Sequence, residues 1–160
     1  MSLMLSHRAA LATRMEDVLQ AHDSRFTVSQ RFQLSAHTSG QAAARRRVYG
    51  SPVRYCEVRY TGRPEQIDAM QSRAIVQAFS FDVMVRVQYD DTGESQELFD
   101  SVIEGTEPDG VLLSMIDAPR LGPGVVRGSL DNIQVFMTFI DASADLWAHE
   151  CSFSVTTRER

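Results

Sequence analysis

The sequence predicts one α+β domain over residues 1–160, with an N-terminal amphipathic helix and one or two further helices packed on one face of a mainly antiparallel or mixed sheet. Three observations predict it. Between Leu130 and Arg158 there are two alternating runs. Ile133, Val135, Met137 and Phe139 mark the first, and Trp147, His149, Cys151, Phe153 and Val155 mark the second. The small polar run Ala142-Ser143-Ala144-Asp145 joins them, and period two with a short joint is an antiparallel hairpin. Second, Phe79, Phe81, Val83, Val85, Val87 and Tyr89 alternate with polar residues and Met84 in the longest strand of the chain, 74–90. Third, Met4, Leu11, Ala12, Met15, Val18 and Leu19 share one arc of a helical wheel, opposite Thr13, Glu16, Asp17 and Gln20.

Taken in order, the helix starts from an N-cap at Ser2 or Ser6 and ends near His22. A first strand follows at 26–34, where Phe26, Val28, Phe32 and Leu34 share a parity interrupted by Gln30. Residues 35–52 turn small and polar, and a connection this long inside a compact domain is a working or a disordered loop. Strand character returns at 53–60 and stops at Thr61-Gly62-Arg63-Pro64, and Glu65 to Ser72 predicts a short helical turn before strand 74–90. Leu98, Phe99, Val102 and Ile103 then recur at helical spacing, and Gly105 supplies the stop. Val111 to Ile116 predicts a third helix, closed by Pro119 and Gly122-Pro123-Gly124. The chain loops through Arg127-Gly128 into strands 131–141 and 146–157. Val18, Phe81, Val83, Val85, Phe99, Val135, Trp147 and Phe153 are the predicted core, with Trp147 as its anchor at the hairpin bend.

Composition narrows the classes of function. A chain of 160 residues buries roughly 70% of its unfolded surface and needs no staple. Cys56 and Cys151 lie in apolar alternating runs, which predicts buried, reduced thiols and a cytosolic compartment. The first residues lack a signal-peptide pattern and no run of 18 apolar residues occurs, so neither export nor membrane insertion is expected. A net charge of −5 argues against broad electrostatic binding to nucleic acid, although all 16 basic residues are Arg, a forked donor suited to contacts with partners.

No catalytic, cofactor-binding or metal-ligating motif stands out. His7, His22, His37 and His149 have no zinc-like spacing to one another or to a Cys. His149 shares a parity with Cys151, but without an orienting group or an oxyanion site the expected role is that of a buried, hydrogen-bonded histidine. Gly122, Gly124 and Gly128 lack the G-K-[ST] of a phosphate loop and read as turn chemistry. Glu94, Glu97, Asp100 and Glu104 read as a solvated helix face. Arg45, Arg46 and Arg47 are the densest charge and the candidate contacts with another subunit, a partner or a DNA path, against the plainer reading of a solvated loop.

The order of elements resembles the tail terminator proteins of long-tailed bacteriophages, the family of the lambda minor tail protein U. The resemblance rests on His7-Arg8-Ala9-Ala10-Leu11 running to Leu19-Gln20-Ala21-His22-Asp23, on Val58-Arg59-Tyr60-Thr61-Gly62, and on Ala144-Asp145-Leu146-Trp147 leading to Thr157-Arg158-Glu159. Ser35 to Ser51 and Arg120 to Ser129 are longer than that pattern, so no contact is carried over to them. The resemblance implies a non-enzymatic virion protein of the tail and neck, assembled in the host cytoplasm without cofactors. It implies a homo-oligomeric ring, of six subunits, that caps the tail tube protein, ends polymerisation and offers a surface to head–tail connector proteins, with packaged DNA passing through. Two other classes compete with it. One is another connector or neck subunit. The other is a small α+β ligand-binding or enzyme domain, whose strands would carry several ionisable residues on the core parity, where this sequence offers only His149 and Gln30.

Overall fold

A computed structural model describes residues 3–30, 52–62, 78–105, 110–117, 120–141 and 145–159. Helix α1 spans Leu3–His22. Strands β1 (Thr27–Ser29), β2 (Arg54–Gly62) and β3 (Ala78–Gln88) follow, then helices α2 (Glu94–Glu104) and α3 (Val111–Asp117). Strands β4 (Arg120–Gly122), β5 (Val125–Asp141) and β6 (Leu146–Glu159) complete the order. Among the described residues one mixed sheet is built in the order β1-β2-β3-β6-β5-β4, with β1 and β2 parallel and the other pairs antiparallel. The predicted α+β class is therefore the observed one.

The helices lie on one face because their apolar stripes match the apolar parity of the strands. In α1 the buried residues are His7, Leu11, Ala12, Met15 and Leu19, recurring at helical spacing. They meet Phe79, Phe81, Val83, Val85 and Val87 of β3, Cys56 and Val58 of β2, and Cys151, Phe153 and Val155 of β6. Phe99, Val102 and Ile103 of α2 and Val111 and Met115 of α3 close the same core. Helix α2 stops at Gly105, whose N–H donates to Ser101 O at 2.8 Å. A Cβ there would meet that carbonyl oxygen at 2.0 Å, so only glycine fits.

Several expectations need correction. Strand 26–34 is described only as Thr27–Ser29, and 31–34 lie outside the described residues, as do 74–77 of strand 74–90 and the helical turn at 65–72. Strand β3 ends at Gln88 rather than Asp90. The N-cap at Ser6 falls inside α1, and Ser2 is outside the described residues. The segment read as a loop into the hairpin is strand. Arg120–Gly122 forms β4, which turns at Pro123 and Gly124 into β5, and β5 begins at Val125. The other parity of β6 is partly buried as well. Ala148 and Glu150 are buried there, and Ala148 joins Val53, Tyr55 and Ile140 in a second, smaller apolar cluster. In the expected core Phe81, Val83, Val85, Phe99 and Phe153 are buried and Val18 packs against them. Val135, by contrast, is 58% exposed and Trp147 only half-buried.

Candidate interaction surface

Strand β5 runs for 17 residues, about 56 Å at the usual rise of a strand. The helices do not reach it sideways: Cys151 and His149 of β6 are buried, while Val135 and Met137 opposite them on β5 are exposed. On its inner side β5 pairs with β6 along nearly its whole length, Val125↔Glu159 to Asp141↔Leu146. On its outer side β4 reaches only Val125 and Val126. Beyond that point the described residues place no strand against it.

The uncovered stretch is apolar. Ile133, Val135, Phe136, Met137 and Phe139 are each between 40% and 58% exposed. Val135, Met137 and Phe139 oppose Cys151, His149 and Trp147, which puts them on the helix-bearing side of the sheet, and Phe136 opposes Glu150 on the other side. The Phe139 and Trp147 rings lie 3.6 Å apart between centroids, and Met137, Trp147 and Tyr89 line a shallow depression. Together the five β5 residues leave about 500 Å² to solvent, main chain included, in a strip that wraps the strand border from one side of the sheet to the other, a size typical of interaction sites. From Asn132 to Ile140 the strand carries no charge. Register shifts at Asp131/Gln134 and Phe139/Asp141 bound a regular window from Gln134 to Phe139.

The ionisable groups are engaged inside the fold. His7 is fully buried on α1, with Nδ1 2.7 Å from Thr157 Oγ1 and Nε2 2.7 Å from Glu159 Oε2, and its ring meets Phe79 edge-on at 4.9 Å. Hydroxyl, imidazole and carboxylate in a row resemble a nucleophile with its base, but Thr157 is fully buried and no substrate carbonyl reaches it. The trio clasps α1 to the end of β6. His149 stacks on Phe99 at 5.2 Å, and its Nε2 lies 3.3 Å from the Ser95 hydroxyl, which also accepts the Asp90 N–H at 3.0 Å. Burial pushes the His149 imidazole below its ordinary value, while Asp100 and Asp90 pull the other way. This is the buried, hydrogen-bonded histidine that the sequence predicts. Asp90 accepts from the Thr92 hydroxyl at 2.7 Å and from the Thr92 N–H at 3.1 Å, bonds that hold its carboxyl below the usual range.

On the helix-free face, Arg86 pairs with Glu150 directly across β3 and β6, and Asp82 accepts from Ser154 at 2.8 Å and from Arg59 at 3.3 Å. Cross-strand pairs of this kind align the strands. Cys56 and Cys151 are free and buried; burial raises both thiols, that of Cys151 to about 11, which keeps them protonated and poorly nucleophilic. Glu94, Glu97, Asp100 and Glu104 are exposed along α2, the solvated face expected of them. Among the described residues no group of three His, Cys, Asp or Glu is placed to hold a metal ion, and no helix is long and apolar enough to cross a membrane.

Arg45, Arg46 and Arg47 lie outside the described residues. Alternation in β5 predicts a buried parity, yet Val135, Met137 and Phe139 on that parity are exposed. A signal of that exposure is present: Phe136 and Ile140 put apolar residues on both parities of a run without charge, unlike a strand with one wet face. No protein-family model matches the chain, and neither does any curated protein.

Proposed function

We propose that this chain is a non-enzymatic structural subunit of a bacteriophage tail, which forms a ring that caps the tail tube, stops its polymerisation and presents a surface for head joining. One observation carries the reading: among the described residues a large exposed apolar surface runs along a strand border, which is suited to joining protein to protein. The resemblance of the opening helix and closing strand to tail terminators supports it, since both stretches form the elements expected of them, α1 and β6. The core-facing histidines His7 and His149 are both hydrogen-bonded within the fold, which favours a filled core over a catalytic site. A head-to-tail contact that closes yields a ring with two different faces, as a cap between tube and head requires.

Native mass spectrometry with negative-stain imaging of the purified protein tests this. The expected result is a closed ring of six copies that, added to polymerising tube protein, shortens the tubes. A monomer at tens-of-micromolar concentration that leaves tube length unchanged refutes it.

A further inference from the structure

We propose that the outer border of β5, centred on Gln134 to Phe139, is one half of a head-to-tail contact on which the next copy of this chain lays an extended segment. The inference rests on the ring reading above and assigns it a contact. Borders of sheets are normally blunted by charge, proline, bulges or a covering element. Here the register shifts at Asp131/Gln134 and Phe139/Asp141 sit at the two ends and leave the window between them regular, uncharged and free of proline. A strand added at that window gains main-chain hydrogen bonds. Its side chains then meet Val135, Met137 and Phe139 on one side of the sheet and Phe136 on the other. The depression lined by Tyr89, Met137 and Trp147 lies beside the window and receives an apolar side chain of the incoming copy.

Area and charge select the occupant. The five β5 residues and an equal area on a partner bury about 1,000 Å², main chain included, about the least that a specific interface needs. A ring supplies such a contact once per subunit, from identical chains. Pairing of two β5 borders with each other is disfavoured, because the uncharged run is bracketed in sequence by Asp131 and Asp141. Antiparallel self-pairing would set acidic end against acidic end. The contact therefore joins β5 to a different surface of the next copy, and such a heterologous contact closes rings.

The test is the double variant Val135→Lys with Met137→Lys, at two exposed positions, beside the milder Val135→Lys. Circular dichroism and thermal melting verify the fold. Rings should be lost in the double variant and reduced in the single one. Mixed with wild type, the double variant keeps its other contact surface, so it should join the end of an open chain and stop it; a minor fraction then removes most rings. Folded variants that assemble like wild type overturn this inference and leave the ring reading standing. Ring loss merely proportional to the fraction of variant, with wild-type dimers surviving, refutes the head-to-tail assignment. A wild-type protein that forms no rings overturns both.

Discussion

Strands β3 and β5 have similar alternating sequences and opposite fates. In β3 one parity is buried from Phe79 to Val87 and the other is half-buried, because β2 and β6 flank it and the helices roof it. In β5 the residues from Asp131 to Met137 are exposed on both parities. Alternation decides which residues share a face; the position of the roofing helices decides whether that face is dry. A border strand beside its roof rather than beneath it keeps an apolar surface exposed.

The sharpest test of this contrast compares two apolar residues of equal standing in sequence. Phe81→Ala, fully buried in β3, should cost about 3–5 kcal/mol in a urea titration, whereas Val135→Ala should stay within about 0.5 kcal/mol. Equal losses at the two sites would mean that the β5 face is covered in solution. Next in size is His7→Ala, which strands the buried Thr157 hydroxyl and should cost about 1–3 kcal/mol by the same titration. A loss near zero would show that the clasp between α1 and β6 contributes nothing. Trp147→Ala should cost only about 1 kcal/mol, as suits a half-buried ring stacked on exposed Phe139.

A smaller effect follows from His149. Its pKa is lowered in the fold, so the unfolded chain binds the proton more readily. Its contribution is intact above the unfolded value near 6.5 and is lost as pH falls from there towards the folded value. Thermal melts of wild type and His149→Gln between pH 7 and 5 check the sign. The wild type should lose stability more steeply, and parallel curves would exclude His149 as a source of the slope. The smallest effect on the monomer is expected from Arg45→Glu, Arg46→Glu and Arg47→Glu together. The melting temperature should hardly move, while on the proposed ring reading assembly weakens in a salt-dependent way, because ion pairs worth roughly 0–1 kcal/mol each would recur at every contact. Normal rings and tails from this triple variant would make the run merely solvated.

How much the sequence disclosed follows the same division. Helix α1 was legible from its stripe, β3 and β6 from their alternation, and α2 from its spacing and Gly105. Strand β4 and the start of β5 were not, since Gly122, Gly124 and Gly128 read as loop residues. Gly128 is a strand residue placed where the chain passes close to its neighbour: a Cβ there would lie 3.0 Å from Thr156 O. His7 was not singled out because its partners lie at the other end of the chain, 150 and 152 residues away. The interaction surface was half legible. The apolar residues of β5 were visible, but their exposure depends on how far the helices reach, which no local pattern encodes.

The inner side of β5 rests on β6 from Val125 to Asp141, and β6 follows β5 in the chain. Both partners of His7 also lie in that strand. A nascent or truncated chain lacking residues 146–159 therefore has neither the clasp that seats its first helix nor the neighbour that holds β5 straight. Under the proposed contact, the docking border is therefore complete only once β6 has formed beside it.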